Sequence, residues 1–255
     1  MNFPDSDAMW ERHKSKDVWR GIMPNFAGIV GALSDEESKR YLLGVIGFYN
    51  SPDFSDVSLV KNPKAMGHYG YDAYGANPKA GGIIVDCGAY TGDTVAELHR
   101  LSGGSCTVHA IEPYGPNLSQ IGNAPWLKKW AVALGASHGS GTIDARRHPS
   151  RVTISREPGR AQVETLDRLF SDTRTDYIKI DIEGADFDAL IGGREIIGRD
   201  RPTMAVCGYH KPEHMVDVPR FLLDNLSPCR LYASGDPDWV WHTHYIAVPE
   251  ERAAQ

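Results

Sequence analysis

The chain has 255 residues, 41% hydrophobic and 24% charged, with a formal net charge of −6. These proportions are those of an ordinary globular protein of one large domain, and the acidic balance argues against a surface that grips nucleic acid through its phosphates. No apolar run approaches the length of a membrane span, and the polar start MNFPDSDAMWERHKSKDVWR lacks the apolar core of a signal peptide, so a cytoplasmic protein without membrane or nucleic-acid partners is expected.

Residues 1–75 differ in texture from the rest and read as an N-terminal helical or lid segment preceding a main domain over 76–255. Within it, SDEESKRYLLGVIGFY opens with Ser34 and has Glu37 three positions on, a capping-box pattern. Leu42, Leu43, Val45, Ile46 and Tyr49 then suit a helix of about four turns. The turn-rich, aromatic stretch NSPDFSDVSLVKNPKAMGHYGYDAYGANPKAGG follows as a linker or lid. The segment either covers the site or forms a contact in a homodimer, and the sequence leaves that choice open.

From Gly82 strands and helices alternate. GIIVD is a short apolar strand, TVAELHRL a helix, CTVHAIE the next strand and KKWAVAL another. TIDARRHPSRVTIS reads as a hairpin. DYIKID is a strand, and ADFDALIGGREIIG a helix with Phe187, Leu190, Ile191 and Ile197 inward. TMAVCGY is a strand, PEHMVDVPRFLLDNL a helix, and CRLYAS and VWHTHYIAV close the chain as an antiparallel pair. Such alternation predicts a Rossmann-like α/β fold, a mostly parallel sheet with one antiparallel strand near the C-terminus. Cys87, Cys106, Cys207 and Cys229 are widely spaced, form no C-x-x-C pair, and read as reduced, mostly buried thiols.

The stretch IIVDCGAYTGDT carries the first site. Asp86 precedes a turn containing Gly88 and Gly92, and Asp93 opens the following helix. Glycines there let a ligand approach the backbone, but acids at that turn repel a pyrophosphate. A cationic ligand such as S-adenosylmethionine fits better. The next strand ends in Glu112, placed to accept two ribose hydroxyls, with Pro113 and Tyr114 to flank an adenine. Two alternatives stand beside this: a plain strand-to-helix corner capped by Asp86, and an NAD site using the same acid.

The second constellation lies in VETLDRLFSDTRTDYIKIDIEGADFDALIGG. Its strand ends in Asp181, with Glu183 and Gly184 in the turn and a helix after them; alternation places Lys179, Asp181 and Glu183 on one side if the strand continues, with Asp181 available to pair with Lys179. Taken together, VDCGAYTGDT, IEPY, ETLDRL and YIKIDIEGADFDALIGG resemble the successive motifs of the FkbM family of S-adenosylmethionine-dependent methyltransferases. The resemblance covers roughly residues 80–200 and weakens toward the C-terminus. It implies a class I methyltransferase fold and methyl transfer to a hydroxyl of a sugar, polyketide or other small molecule. Donor contacts are then expected from Asp86, Gly88, Ala89, Tyr90, Thr91, Gly92, Thr94, Glu112, Pro113 and Asp181. Where the family pattern has an apolar strand ending in an acid, this chain has AVCGYHKPEH, so the substrate-facing end of that strand differs in chemistry.

An alcohol is a weak nucleophile, so a base near its proton is needed. Asp181 and His210 are the expected acceptor-orienting and proton-accepting pair, in either order, with Glu183 as a substrate contact or a cap for the following helix. Lys179 and Asp167 read as structural. Asp181, Glu183, His210 and His214 offer ligands for a divalent metal, yet no zinc pattern is present and none is expected to be required. His242 and His244 share a strand face, which suits aromatic packing. Five arginines between Arg146 and Arg160 read as a solvated hairpin or as a grip on an anionic acceptor. An NAD-linked oxidoreductase or epimerase and a non-catalytic binding module remain the competing functions.

Overall fold

The computed structural model describes residues 12–13, 15–50, 74–144, 153–155, 161–236 and 239–253. Of the arginine-rich stretch, only 153–155 falls within them, and most of the aromatic linker before residue 74 also lies outside them. The chain divides into two compact units, Met1–Ala76 with Ala205–Gln255, and Asn77–Met204. The strands form a seven-stranded, mostly parallel sheet and a smaller four-stranded sheet.

The unit Asn77–Met204 begins with β1 (Ile83–Cys87), α4 (Asp93–Leu101) and β2 (Thr107–Ile111); α1 (Lys16–Ile22), α2 (Phe26–Ala32) and α3 (Glu36–Asn50) belong to the other unit. It continues through α5 (Gly115–Leu118), β3 (Leu127–Trp130), β4 (Ala133–Leu134), β5 (Gly139–Asp144), β6 (Thr153–Ser155) and β7 (Ala161–Glu164). Then come α6 (Leu166–Leu169), β8 (Tyr177–Ile180), α7 (Asp186–Ile191) and α8 (Arg194–Asp200). The strand order is β8-β1-β2-β3, all parallel, with Asp86 opposite both Ala110 and Lys179. Its strands are buried on both faces, as helix-covered parallel strands are: Ile84, Val85, Val108, Ala110, Ile178 and Ile180 are all but inaccessible. β3 is the last strand in the order, and its exposed Lys128 and Lys129 suit an edge that must not pair with another chain.

Two expectations change here. KKWAVAL does not form one strand: β3 joins the large sheet, whereas β4 pairs with β7 in the small one. The helix expected over ADFDALIGGREIIG is two helices, parted at Gly192 and Gly193. A β-carbon on Gly192 would stand 2.2 Å from the Gly135 carbonyl oxygen, so the backbone itself packs where a side chain would sit. Asp167, in turn, caps α8 by accepting from the amides of Glu195 and Ile196 at 3.2 and 2.9 Å.

The other unit contains α1 (Lys16–Ile22), α2 (Phe26–Ala32) and α3 (Glu36–Asn50), then the end of β9 (Thr203–Cys207). α9 (His214–Leu226), β10 (Cys229–Asp236), β11 (Trp239–Pro249) and α10 (Glu250–Ala253) complete it. β10 and β11 are antiparallel, as their short connection requires, and β11 lies between β10 and β9. In α3 the cap is Asp35, which accepts from Ser38 N at 2.7 Å, while the Ser34 hydroxyl accepts from Leu231 N. The inward stripe of α3 is Tyr41, Leu42, Val45, Phe48 and Tyr49, while Leu43 is 55% exposed. Tyr41 reaches Thr243 Oγ1 at 3.0 Å, which fixes this helix against β11.

Candidate functional site

The functional residues of the unit Asn77–Met204 gather at the carboxyl ends of β1, β2 and β8, where open parallel sheets bind ligands. β1 delivers the chain into the turn Gly88–Gly92, whose conformation is unusual at three positions. Gly88 and Gly92 have φ of +81° and +96°, and Tyr90, a non-glycine, has φ of +45°. Gly92 N donates to Ala89 O at 2.8 Å, and α4 starts directly after.

The turn is pinned from both neighbouring strands. Gly88 N and Ala89 N both donate to Ile111 O at the end of β2, at 2.9 and 3.1 Å. Asp181 N, just past β8, donates to Cys87 O at 3.0 Å. A β-carbon on Gly88 would lie 1.9 Å from Asp181 O, so only glycine permits this approach.

Asp86 is fully buried. Its Oδ2 accepts from Thr94 Oγ1 at 2.6 Å and its Oδ1 lies 3.0 Å from Lys179 Nζ. Burial raises its pKa, while Lys179 and Thr94 pull it back toward the ionised form. Asp86 thus engages both Thr94 and Lys179. Lys179, expected to pair with Asp181, pairs instead with its register neighbour across the sheet. Cys87, buried beside them, has its thiol pKa pushed up by burial, which disqualifies it as a nucleophile.

Glu112 terminates β2 and is 4% exposed. Its Oε2 accepts from Tyr90 N at 3.1 Å and its Oε1 from Tyr114 N at 2.9 Å. Burial raises its pKa, opposed by these two backbone bonds. Asn117 also hydrogen-bonds this carboxylate, and what remains of its roughly four lone-pair sites can accept from a ligand. Pro113, Tyr114, Tyr90 and Thr91 are all partly exposed around it, whereas Ala89 is buried.

Past β8 the strand does not continue through Asp181 to Glu183, and Glu183 and Gly184 lie in a turn, as expected for them. The chain turns: Glu183 has φ of +55° and Gly184 φ of +102°. Asp186, fully buried at the start of α7, holds this turn by accepting from Ile182 N at 2.9 Å and Gly184 N at 3.1 Å. Asp186, which the sequence reading missed, thus braces the turn that precedes α7. Asp181 and Glu183 both remain partly exposed.

His210 lies in the other unit, after the end of β9, and is 1% exposed. Its neighbour Tyr209 stacks on His242 with ring centroids 4.6 Å apart and meets His244 edge-on at 5.7 Å, the aromatic packing expected of those two histidines. His13 also packs here. Burial lowers its pKa from 6.5 to about 4, while the backbone at His210 and Tyr209 partly offsets that shift.

The chemistry of the first cluster can be matched to a ligand. The turn 86–94 contains five acidic or hydroxyl side chains, Asp86, Tyr90, Thr91, Asp93 and Thr94, and no cation of its own. The one ammonium beneath it is engaged by Asp86 and by the Gly88 carbonyl at 2.9 Å. The donor set accommodates a cationic nucleoside with free ribose hydroxyls better than a pyrophosphate.

Comparisons with known proteins identify the family. The family model described as "Methyltransferase FkbM domain" matches residues 86–227, more than half of the chain. Among solved structures, a methyltransferase FkbM from Methylobacillus flagellatus KT is similar, with a TM-score of 0.73 at 22% identity. The match covers 95% of this chain and 62% of that one, so the present chain spans under two thirds of that protein's length. At that identity the likeness shows the fold, the class I methyltransferase architecture. A candidate rRNA-methylase from Clostridium thermocellum has a TM-score of 0.46 at 12% identity, over 72% of this chain and 97% of that one. No curated protein matches the sequence.

Proposed function

From the premise that this chain belongs to the FkbM methyltransferase family, we propose that it transfers a methyl group from S-adenosylmethionine to a hydroxyl of a small molecule. The observation carrying the reading is the pinned, cation-free turn Gly88–Gly92 beside Glu112, whose two carboxylate oxygens are already oriented by backbone amides. When bound, the donor supplies an activated methyl on a sulfonium. Glu112 holds the ribose hydroxyls, Pro113 and Tyr90 flank the adenine, and Thr91 and the backbone of Gly88, Ala89 and Gly92 line the remainder. Asp86 and Thr94 serve from below, by shaping the turn.

Methyl transfer to oxygen is mainly a matter of aligning the acceptor, aided by a base for its proton. Asp181, partly exposed and adjoining the turn at Gly88, is the acceptor-side acid in this reading, with Glu183 as a substrate contact. His210 is its partner in proton acceptance. The acceptor is a sugar, polyketide or comparable alcohol, and the reaction is set in the cytoplasm. The described residues contain no helix long and apolar enough to cross a membrane. The test is mass spectrometry of small molecules from a host with and without the protein. Products heavier by one methylene that vanish with the protein support the reading. Unchanged profiles, with labelled donor transferred to no alcohol in a host extract, count against it.

A further inference from the structure

We infer that Lys179 is a positioning residue whose buried ammonium ties the donor-binding turn, through the Gly88 carbonyl, to the strand that delivers Asp181. This rests on the donor reading above and adds a residue to it. β8 reads YIKI and is buried at every position, with Lys179 only 1% exposed. A lysine is almost never buried so completely without paired groups. It has them: Asp86 Oδ1 at 3.0 Å and Gly88 O at 2.9 Å.

Charge balance explains only the first contact. Asp86 and Lys179 are opposite one another on parallel strands, and their pairing would hold whatever the turn did. The second contact acts on the turn itself. The peptide between Gly88 and Ala89 has its carbonyl bonded to Lys179 and its N–H bonded to Ile111 O. The next peptide has its carbonyl bonded to Gly92 N and its N–H bonded to Glu112. Two consecutive peptide planes are therefore fixed at both ends before the chain reaches partly exposed Tyr90 and Thr91. Of these anchors Lys179 alone comes from β8, so it is the one that sets the donor turn against Asp181. A site 1 Å too loose loses binding or rate even with every contacting side chain present, at roughly that scale of displacement.

The two roles separate once the Asp86 carboxylate is removed. Asp86→Asn keeps the lysine and its bond to Gly88; adding Lys179→Met removes that bond without leaving an unpaired buried charge. Titration calorimetry with S-adenosylmethionine on the intact protein reads the difference, with melting temperature as the control for folding. The double variant is expected to bind the donor about tenfold or more weakly than Asp86→Asn, as loss of a charge-assisted hydrogen bond implies, while melting no lower. Equal affinity in the two variants overturns the inference. Should the double variant fail to fold, Lys179→Gln, one bond shorter, keeps a donor beside Asp86 and withdraws it from Gly88. Unaltered donor affinity in that variant likewise overturns the inference, and weakened affinity supports it. Absence of heat from the wild type removes the donor reading itself, and this inference with it.

Discussion

The carbonyl oxygen of Asp181 stands 1.9 Å from the point that a β-carbon on Gly88 would occupy. The donor-side turn and the acceptor-side acid thus touch through backbone alone, and Gly88 also needs its φ of +81°. Gly88→Ala is expected to destabilise the fold by more than about 1 kcal/mol, since the substituted residue fits neither the dihedral nor the space. Donor binding should fall with it. Thermal melts with and without S-adenosylmethionine check both, and a variant that melts and binds like wild type would refute the close approach.

Glu183 sits at φ of +55°, a conformation that costs a non-glycine residue roughly 1–2 kcal/mol. Glu183→Gly should therefore be at least as stable as wild type, because relief of strain offsets the added backbone entropy. Turnover in the same variant should drop about tenfold or more if the carboxylate contacts the acceptor. Higher activity together with higher stability would mean the strain serves nothing.

Asp186 carries the opposite expectation. Its carboxylate satisfies Ile182 N and Gly184 N while fully buried, so Asp186→Ala leaves two amides without their acceptor. A loss of about 2–5 kcal/mol follows from two charge-assisted bonds. Denaturant titration measures it, and a loss under about 0.5 kcal/mol, the level of an ordinary surface substitution, would contradict the role.

Acid sensitivity has a identifiable source in His109. It is 3% exposed, accepts from Trp130 Nε1 at 3.1 Å, and burial lowers its pKa from 6.5 to about 4, aided by nearby Lys128. The unfolded chain gains a proton there below pH 6.5, the folded chain only below about 4. Its contribution to stability is therefore full above 6.5 and is lost as pH falls toward 4. Glu112 has the reverse sign: burial raises its pKa above the ordinary 4.5, so its contribution falls as pH rises above that value. His109→Gln, which retains an acceptor for Trp130, should flatten the fall of melting temperature between pH 6.5 and 4. An unchanged slope would assign the acid sensitivity elsewhere.

Asp181→Asn and His210→Ala are expected to lower the rate of methyl transfer about a hundredfold each, the usual worth of a positioned base. Donor affinity should hold for His210→Ala. Transfer of labelled methyl from the donor into a host small-molecule extract is the readout, and rates at the wild-type level in both variants would remove the proposed pair.

Much of the fold was legible because burial in a parallel sheet writes itself as short apolar runs, as in IIVDC and TVHAI. The position of Glu112 was legible for the same reason, since a strand end can be counted from its apolar core. What was hidden depended on pairing across the sheet. Lys179 seemed destined for Asp181, two residues away, yet its partner Asp86 is a register neighbour on another strand, a relationship no local pattern encodes. Asp186 was hidden because it serves the backbone, leaving no side-chain partner in the sequence to suggest it. Gly192 and Gly193 were read as tolerated within one helix, when close approach to the Gly135 carbonyl breaks it in two.

Titration calorimetry of S-adenosylmethionine and of NAD into the same preparation tests the central claim most directly. The account predicts saturable heat from the methyl donor, weakened by Glu112→Ala, and none from the dinucleotide. Heat from NAD with none from S-adenosylmethionine would contradict it.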